Sequence, residues 1–180
     1  MKRIVSFALT VFMLLTLVVC FVSCSKDGEA HMGFKIITTD INDFVLEVPD
    51  TWTVTSQNAF VSATVEGAAG DESNVSMMSS QRSANETTPE AYFDKLIESY
   101  GDMYENIVVE SRDVEIELGS EKAKKYVFGA DVLGESYKFM QVICIHGDRV
   151  YIFTYTSNDE FYAEHEMEIK YILDYFYFKV

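Results

Sequence analysis

Three cysteines, three histidines and a dense set of carboxylates are the side chains here that could do chemistry. Cys20 and Cys24 lie close to the start of the chain, so Cys144 is the only thiol left for a folded part. No intramolecular disulfide can form there. Cys144 sits in an apolar run with no neighbouring base to lower its pKa, and is expected to be a small buried hydrophobe. His31 falls in a polar stretch, His146 beside Gly147-Asp148, and His165 between Glu164 and Glu166. No HExxH and no Cys/His pair at metal-ligand spacing accompanies them. Neither a GxSxG nucleophile elbow nor a phosphate-cradling glycine motif is present. Glu110, Asp113, Glu115 and Glu117 form the densest group of acids, and Asp71-Glu72 a second. Either could make a loose divalent-cation site from oxygen ligands. Neither has the spacing of an EF-hand loop, and strand alternation makes the first a solvated face. No catalytic residue, no cofactor and no enzymatic activity are therefore expected.

The elements around these residues read as follows. The strongest is a hairpin from about Ser136 to Ser157 with Gly147-Asp148 at its tip. Both arms are dense in β-branched and aromatic residues, and a Gly-Asp pair between such runs supplies the positive φ of a primed turn. Apolar residues on both faces predict a central place in the sheet. Before it come strands at Phe34–Ile37, Asp43–Val48, Thr51–Val54, Phe60–Val65 and Asn74–Ser79. Thr87-Thr88-Pro89-Glu90 offers a cap, a first-turn proline and an acid. Tyr92, Phe93, Leu96, Ile97 and Tyr100 then keep helical spacing, which predicts a helix over Pro89–Met103. Ile107–Val109, Val114–Leu118 and Lys124–Val132 are strands. Ser157-Asn158-Asp159-Glu160 resembles a capping box, with a last helix over Asp159–Asp174 and an extended tail, Tyr175 to Phe178. Trp52 is expected in the core. The sum is α+β, a mostly antiparallel sheet with two main helices covering its faces.

The first 24 residues are of a different kind. Met1-Lys2-Arg3 is a positive start, and Ile4 to Val22 an apolar run of signal-peptide character. Phe21-Val22-Ser23-Cys24, followed by the polar Ser25-Lys26-Asp27-Gly28-Glu29, resembles a bacterial lipobox. That resemblance implies diacylglyceryl modification of Cys24, which becomes the new N-terminus, and an extracytoplasmic, lipid-anchored domain. Acyl burial is favourable by about 0.8 kcal/mol per CH₂. Residues 25 to 33 read as a flexible tether, and 34 to 180 as one domain.

Beyond Cys24 the chain keeps 12 of its 14 bases and all 29 acids, a formal charge of −17. Such a surface repels phosphate backbones, which excludes nucleic acid as an expected partner.

Phe44-Val45-Leu46-Glu47-Val48-Pro49-Asp50-Thr51-Trp52 matches a pattern "f-x-i-x-x-P-x-x-W", and Ile172-Leu173-Asp174-Tyr175-Phe176-Tyr177-Phe178 a closing "i-l-x-s-f-x-f". With the Pro89-Glu90-Ala91-Tyr92 helix start and the Tyr137 to Tyr155 hairpin, the chain resembles the PsbP/Mog1-like superfamily and its small bacterial lipoproteins. The resemblance spans roughly Phe44 to Phe178. It implies an α-β-α sandwich around an antiparallel sheet. It also implies an accessory or adaptor role of the kind played in photosystem assembly or in binding a small GTPase. No functional residue carries over. The expectation is a lipid-anchored, non-enzymatic binding module acting through protein contacts, with Tyr175, Tyr177 and Phe178 as its interaction surface. The alternative is an extracytoplasmic binder of a small molecule or a divalent cation.

Overall fold

A computed structural model describes residues 28–57, 60–66, 69–85 and 87–179. The expected leader, Cys24 and the first residues of the tether lie outside the described residues.

The 136–157 hairpin forms as the sequence predicts and sits centrally. Its arms, β9 (Glu135–His146) and β10 (Arg149–Asn158), lie inside a seven-stranded antiparallel sheet. Beside β10 come β6 (Asn74–Gln81), then β5 (Phe60–Thr64), with β4 (Thr53–Gln57) at that edge. Beside β9 come β8 (Glu121–Val132) and, at the other edge, β7 (Glu105–Leu118). Two-residue turns join β7 to β8 and β8 to β9. Gly119 and Ser120 have φ of 57° and 70°, and Leu133 and Gly134 have 54° and 89°, the pattern of type I′ turns whose twist matches the strands. At the tip of the central hairpin only Gly147 is positive, at 60°.

Two predicted strands merge in β7, a single strand from Glu105 to Leu118 with three register shifts against β8. Asn106 and Asp113 take positive φ of 52° and 59° in the irregular stretches. Bulges and outward acids blunt this edge against pairing with other chains. The expected Asp43–Val48 strand breaks at Leu46. β2 (Phe44–Val45) pairs with the closing strand β11 (Tyr177–Phe178), and β3 (Glu47–Pro49) pairs with β1 (Phe34–Ile36). These two small sheets lid one end of the core.

One face of the large sheet carries α1 (Pro89–Tyr100), where Phe93 is buried against Tyr126 with ring centroids 3.9 Å apart. Thr88 caps the helix by accepting from the Ala91 N–H at 3.3 Å, and Pro89 stands first, where a missing donor costs nothing. The opposite face buries Trp52, Leu46, Phe153 and Tyr155 with Ile169 and Ile172. The expected helix over Asp159–Asp174 is in fact two, α2 (Asp159–Tyr162) and α3 (Glu166–Asp174). The Tyr155 hydroxyl donates to the Tyr162 carbonyl at 2.9 Å, satisfying at the break the acceptor that the Glu166 N–H would use in a continuous helix. The Glu166 N–H reaches Ala163 instead. Among the described residues no helix is long and apolar enough to cross a membrane.

Candidate functional site

The short α2 lies against β10 and β9 and α3 against β3, which leaves the outer part of the sheet face on β7–β9 uncovered. The result is an open groove of about 870 Å³ between that face and α2–α3. Strand alternation decides its floor. On β8, Ala123 and Val127 point into the core on this face, whereas Tyr126 and Phe128 point to α1. Lys125, between Ala123 and Val127, therefore points into the groove. Val114, Ile116 and Met140 complete an apolar strip, and Ile169 and Leu173 form the helical wall.

Two of the three groove lysines are already neutralised. Lys138 reaches Glu110 at 2.7 Å and lies 5.0 Å from the Tyr162 ring centroid. Gly129 on the intervening strand puts no side chain between them, its absent Cβ falling 3.9 Å from Glu110 Oε1. Lys170 pairs with Asp174 one turn along α3. Among the described residues Lys125 has no hydrogen-bond or ion-pair partner, although it is half-buried. Burial beside Tyr155 and Glu166 pushes the Tyr162 phenol up, so it stays a neutral donor.

A buried polar cluster closes the inner side of α2–α3. His165 Nε2 lies 2.8 Å from Asp71 and Nδ1 2.5 Å from Glu168, with the Trp52 ring edge-on at 5.8 Å. Asp71 also accepts from the Ser73 N–H at 2.9 Å, and Ser73 and Ser157 share a buried hydroxyl contact of 2.7 Å. Burial opposes the imidazolium, but the two carboxylates outweigh it and raise the His165 pKa. Burial likewise opposes ionisation of Asp71, yet the bonds from Ser73 and His165 hold its carboxyl below the ordinary value. His165 is thus a latch tying the 66–73 loop to the start of α3. A raised histidine stabilises fully below its unfolded value and loses that stabilisation as pH rises through the folded one. A lowered aspartate stabilises above its unfolded value and loses it as pH falls through the folded one. The latch is therefore strongest between about pH 4 and pH 6.5. Denaturant midpoints should fall between about pH 6 and pH 9 in the native chain and change less in His165→Gln, the difference reporting the latch.

The other sequence-derived candidates do not converge. Cys144 is buried in β9, and burial pushes its thiol up to about 12, which removes the thiolate. Glu110, Asp113 and Glu115 are engaged by Lys138, Arg112 and Lys124 respectively, while Glu117 faces solvent. Among the described residues no group of three or more His, Cys, Asp or Glu side chains could hold a metal ion. Trp52 is in the core as expected. His146 ends β9, within 2.9 Å of Glu121 and stacked on Phe178. His31, at the end of the expected tether, stacks on Tyr175 at 3.7 Å and lies 3.0 Å from Glu47. Tyr175, Tyr177 and Phe178 are each half-buried: Tyr175 contacts His31 and Phe34, Tyr177 pairs with Val45, and Phe178 covers Tyr151.

The groove was missed because its members come from four strands and two helices far apart in sequence. One signal was available. A lysine at position 125, in phase with inward-facing Ala123 and Val127, breaks the apolar face of β8.

The architecture has solved counterparts. Cyanobacterial PsbP (CyanoP) from Synechocystis superposes with a TM-score of 0.61 at 9% identity, covering 86% of this chain and 97% of that one. LpqN of Mycobacterium tuberculosis, involved in cell envelope biogenesis, gives 0.54 at 13% identity, covering 76% and 83%. The Pseudomonas aeruginosa protein PA94, of unknown function, gives 0.52 at 18% identity, covering 77% and 92%. The chain has the PsbP/Mog1-like fold. No protein-family model matches its sequence, and no curated protein does.

Proposed function

We propose that this protein is a lipid-anchored, extracytoplasmic accessory module without catalytic activity, binding a protein partner through the open groove beside α3. With α1 on one sheet face and α2–α3 on the other, the fold reads as an α-β-α sandwich whose second helical layer is shorter than the sheet. The groove carries the functional reading. It offers apolar area edged by charge along an open face. Groups with catalytic potential are tied up elsewhere: Cys144 and Ser73 are buried, and His165 is held between two acids. The neighbours in fold, a PsbP and a protein of cell envelope biogenesis, support an accessory role. Half-buried Tyr175, Tyr177 and Phe178 are secondary candidates on this reading, because their rings are already engaged.

Lipidation of Cys24 supplies the membrane attachment. Cys24→Ala should move the protein from the membrane fraction to the soluble or secreted one, with its folded domain unchanged. Retention of the variant on the membrane would end the lipid-anchor reading.

A further inference from the structure

The groove has a chemical preference, and it follows from one half-buried cation without a partner among the described residues. We propose that the segment docking there is an extended stretch of a protein partner with a single Asp or Glu flanked by apolar side chains, its carboxylate bound by Lys125. This rests on the binding-module reading and names the partner chemistry of that same groove.

Lys125 is half-buried between inward-facing Ala123 and Val127, and among the described residues no carboxylate pairs with it. In a chain of net charge −15, whose other groove lysines are both paired, that is a cation left over. A charge held against apolar surface is costly without a partner, and a carboxylate delivered there forms a charge-assisted hydrogen bond. The strip of Val114, Ile116 and Met140 beside it favours apolar neighbours on the same segment. Four acids also line the groove: Glu110 and Asp174 are paired with Lys138 and Lys170, whereas Glu117 and Glu166 are exposed to solvent, so a polyanion meets more repulsion than a single carboxylate set against Lys125.

The test uses the full-length lipidated protein in nanodiscs as bait for a displayed random peptide library. Enriched peptides should carry one acidic residue between apolar ones. They should lose about tenfold or more in affinity against Lys125→Glu while keeping it against Lys125→Arg. Repeating the selection on Lys125→Glu should exchange the acid for Lys or Arg. Unaltered melting of both variants separates lost binding from lost folding. Apolar peptides without an acid, insensitive to Lys125→Glu but lost on Val114→Arg, would overturn this inference and leave the binding-module reading standing. No enrichment over empty nanodiscs would overturn both. Groove methyl resonances moved by dodecanoate, with no peptide selected, would assign the site to an acyl carboxylate and also overturn the proposal.

Discussion

Gly119→Val should lower the stability of the protein by about 3 kcal/mol, more than any other single change in a turn. Two effects add at this position. The backbone has φ of +57°, where a β-branched side chain is strained. A Cβ would also lie 3.0 Å from ring atoms of both Phe176 and Phe178. Phe176 is buried against Phe44 in the core, so it cannot swing away. Gly134 separates the two effects, since its φ is +89° but nothing lies within 4 Å of its absent Cβ. Gly134→Ala should therefore cost only the backbone part, about 1 kcal/mol. Urea titrations of both variants make the comparison. Equal losses would mean that Phe176 and Phe178 do not press on the β7–β8 turn.

Trp52→Ala should cost about 3–5 kcal/mol, enough to unfold a domain of ordinary stability. Trp52 is 1% exposed and packs among residues of the large sheet, the small sheets and α3. Its indole also stands edge-on to His165, so the cavity opens beside the latch. Trp52→Phe keeps part of the packing and should lose less, with the pH dependence retained. Thermal unfolding followed by circular dichroism measures both. An Ala variant within about 1 kcal/mol of the native chain would show that this core collapses onto the gap.

Much of the fold was legible in the sequence because local signals agreed with tertiary ones. The Gly147-Asp148 turn and the apolar arms gave β9–β10, and Pro89 with the 92–100 spacing gave α1. The errors share a cause. The helix over Asp159–Asp174 has an unbroken periodicity, and the break after Tyr162 is visible only in three dimensions, where a hydroxyl from Tyr155 on a neighbouring strand meets the Tyr162 carbonyl. Leu46 divides two small sheets because β11 and β1 arrive from opposite ends of the chain to claim its neighbours. Single residues were readable by type. Cys144 and Trp52 are where their chemistry sends them, whereas His165 owes its role to Asp71, ninety-four positions away. The groove was hardest to see, because it is defined by what α3 fails to cover.

That uncovered face is where the account is most exposed to test. A photoreactive residue at Val114, in the groove, should capture one protein partner in living cells. The same residue at Leu133, in the exposed β8–β9 turn, should not. The Val114 capture should also disappear when Lys125→Glu is added. Capture of the same protein from both positions would contradict a binding site built around this groove, and capture from Val114 irrespective of Lys125 would contradict its preference for an acid.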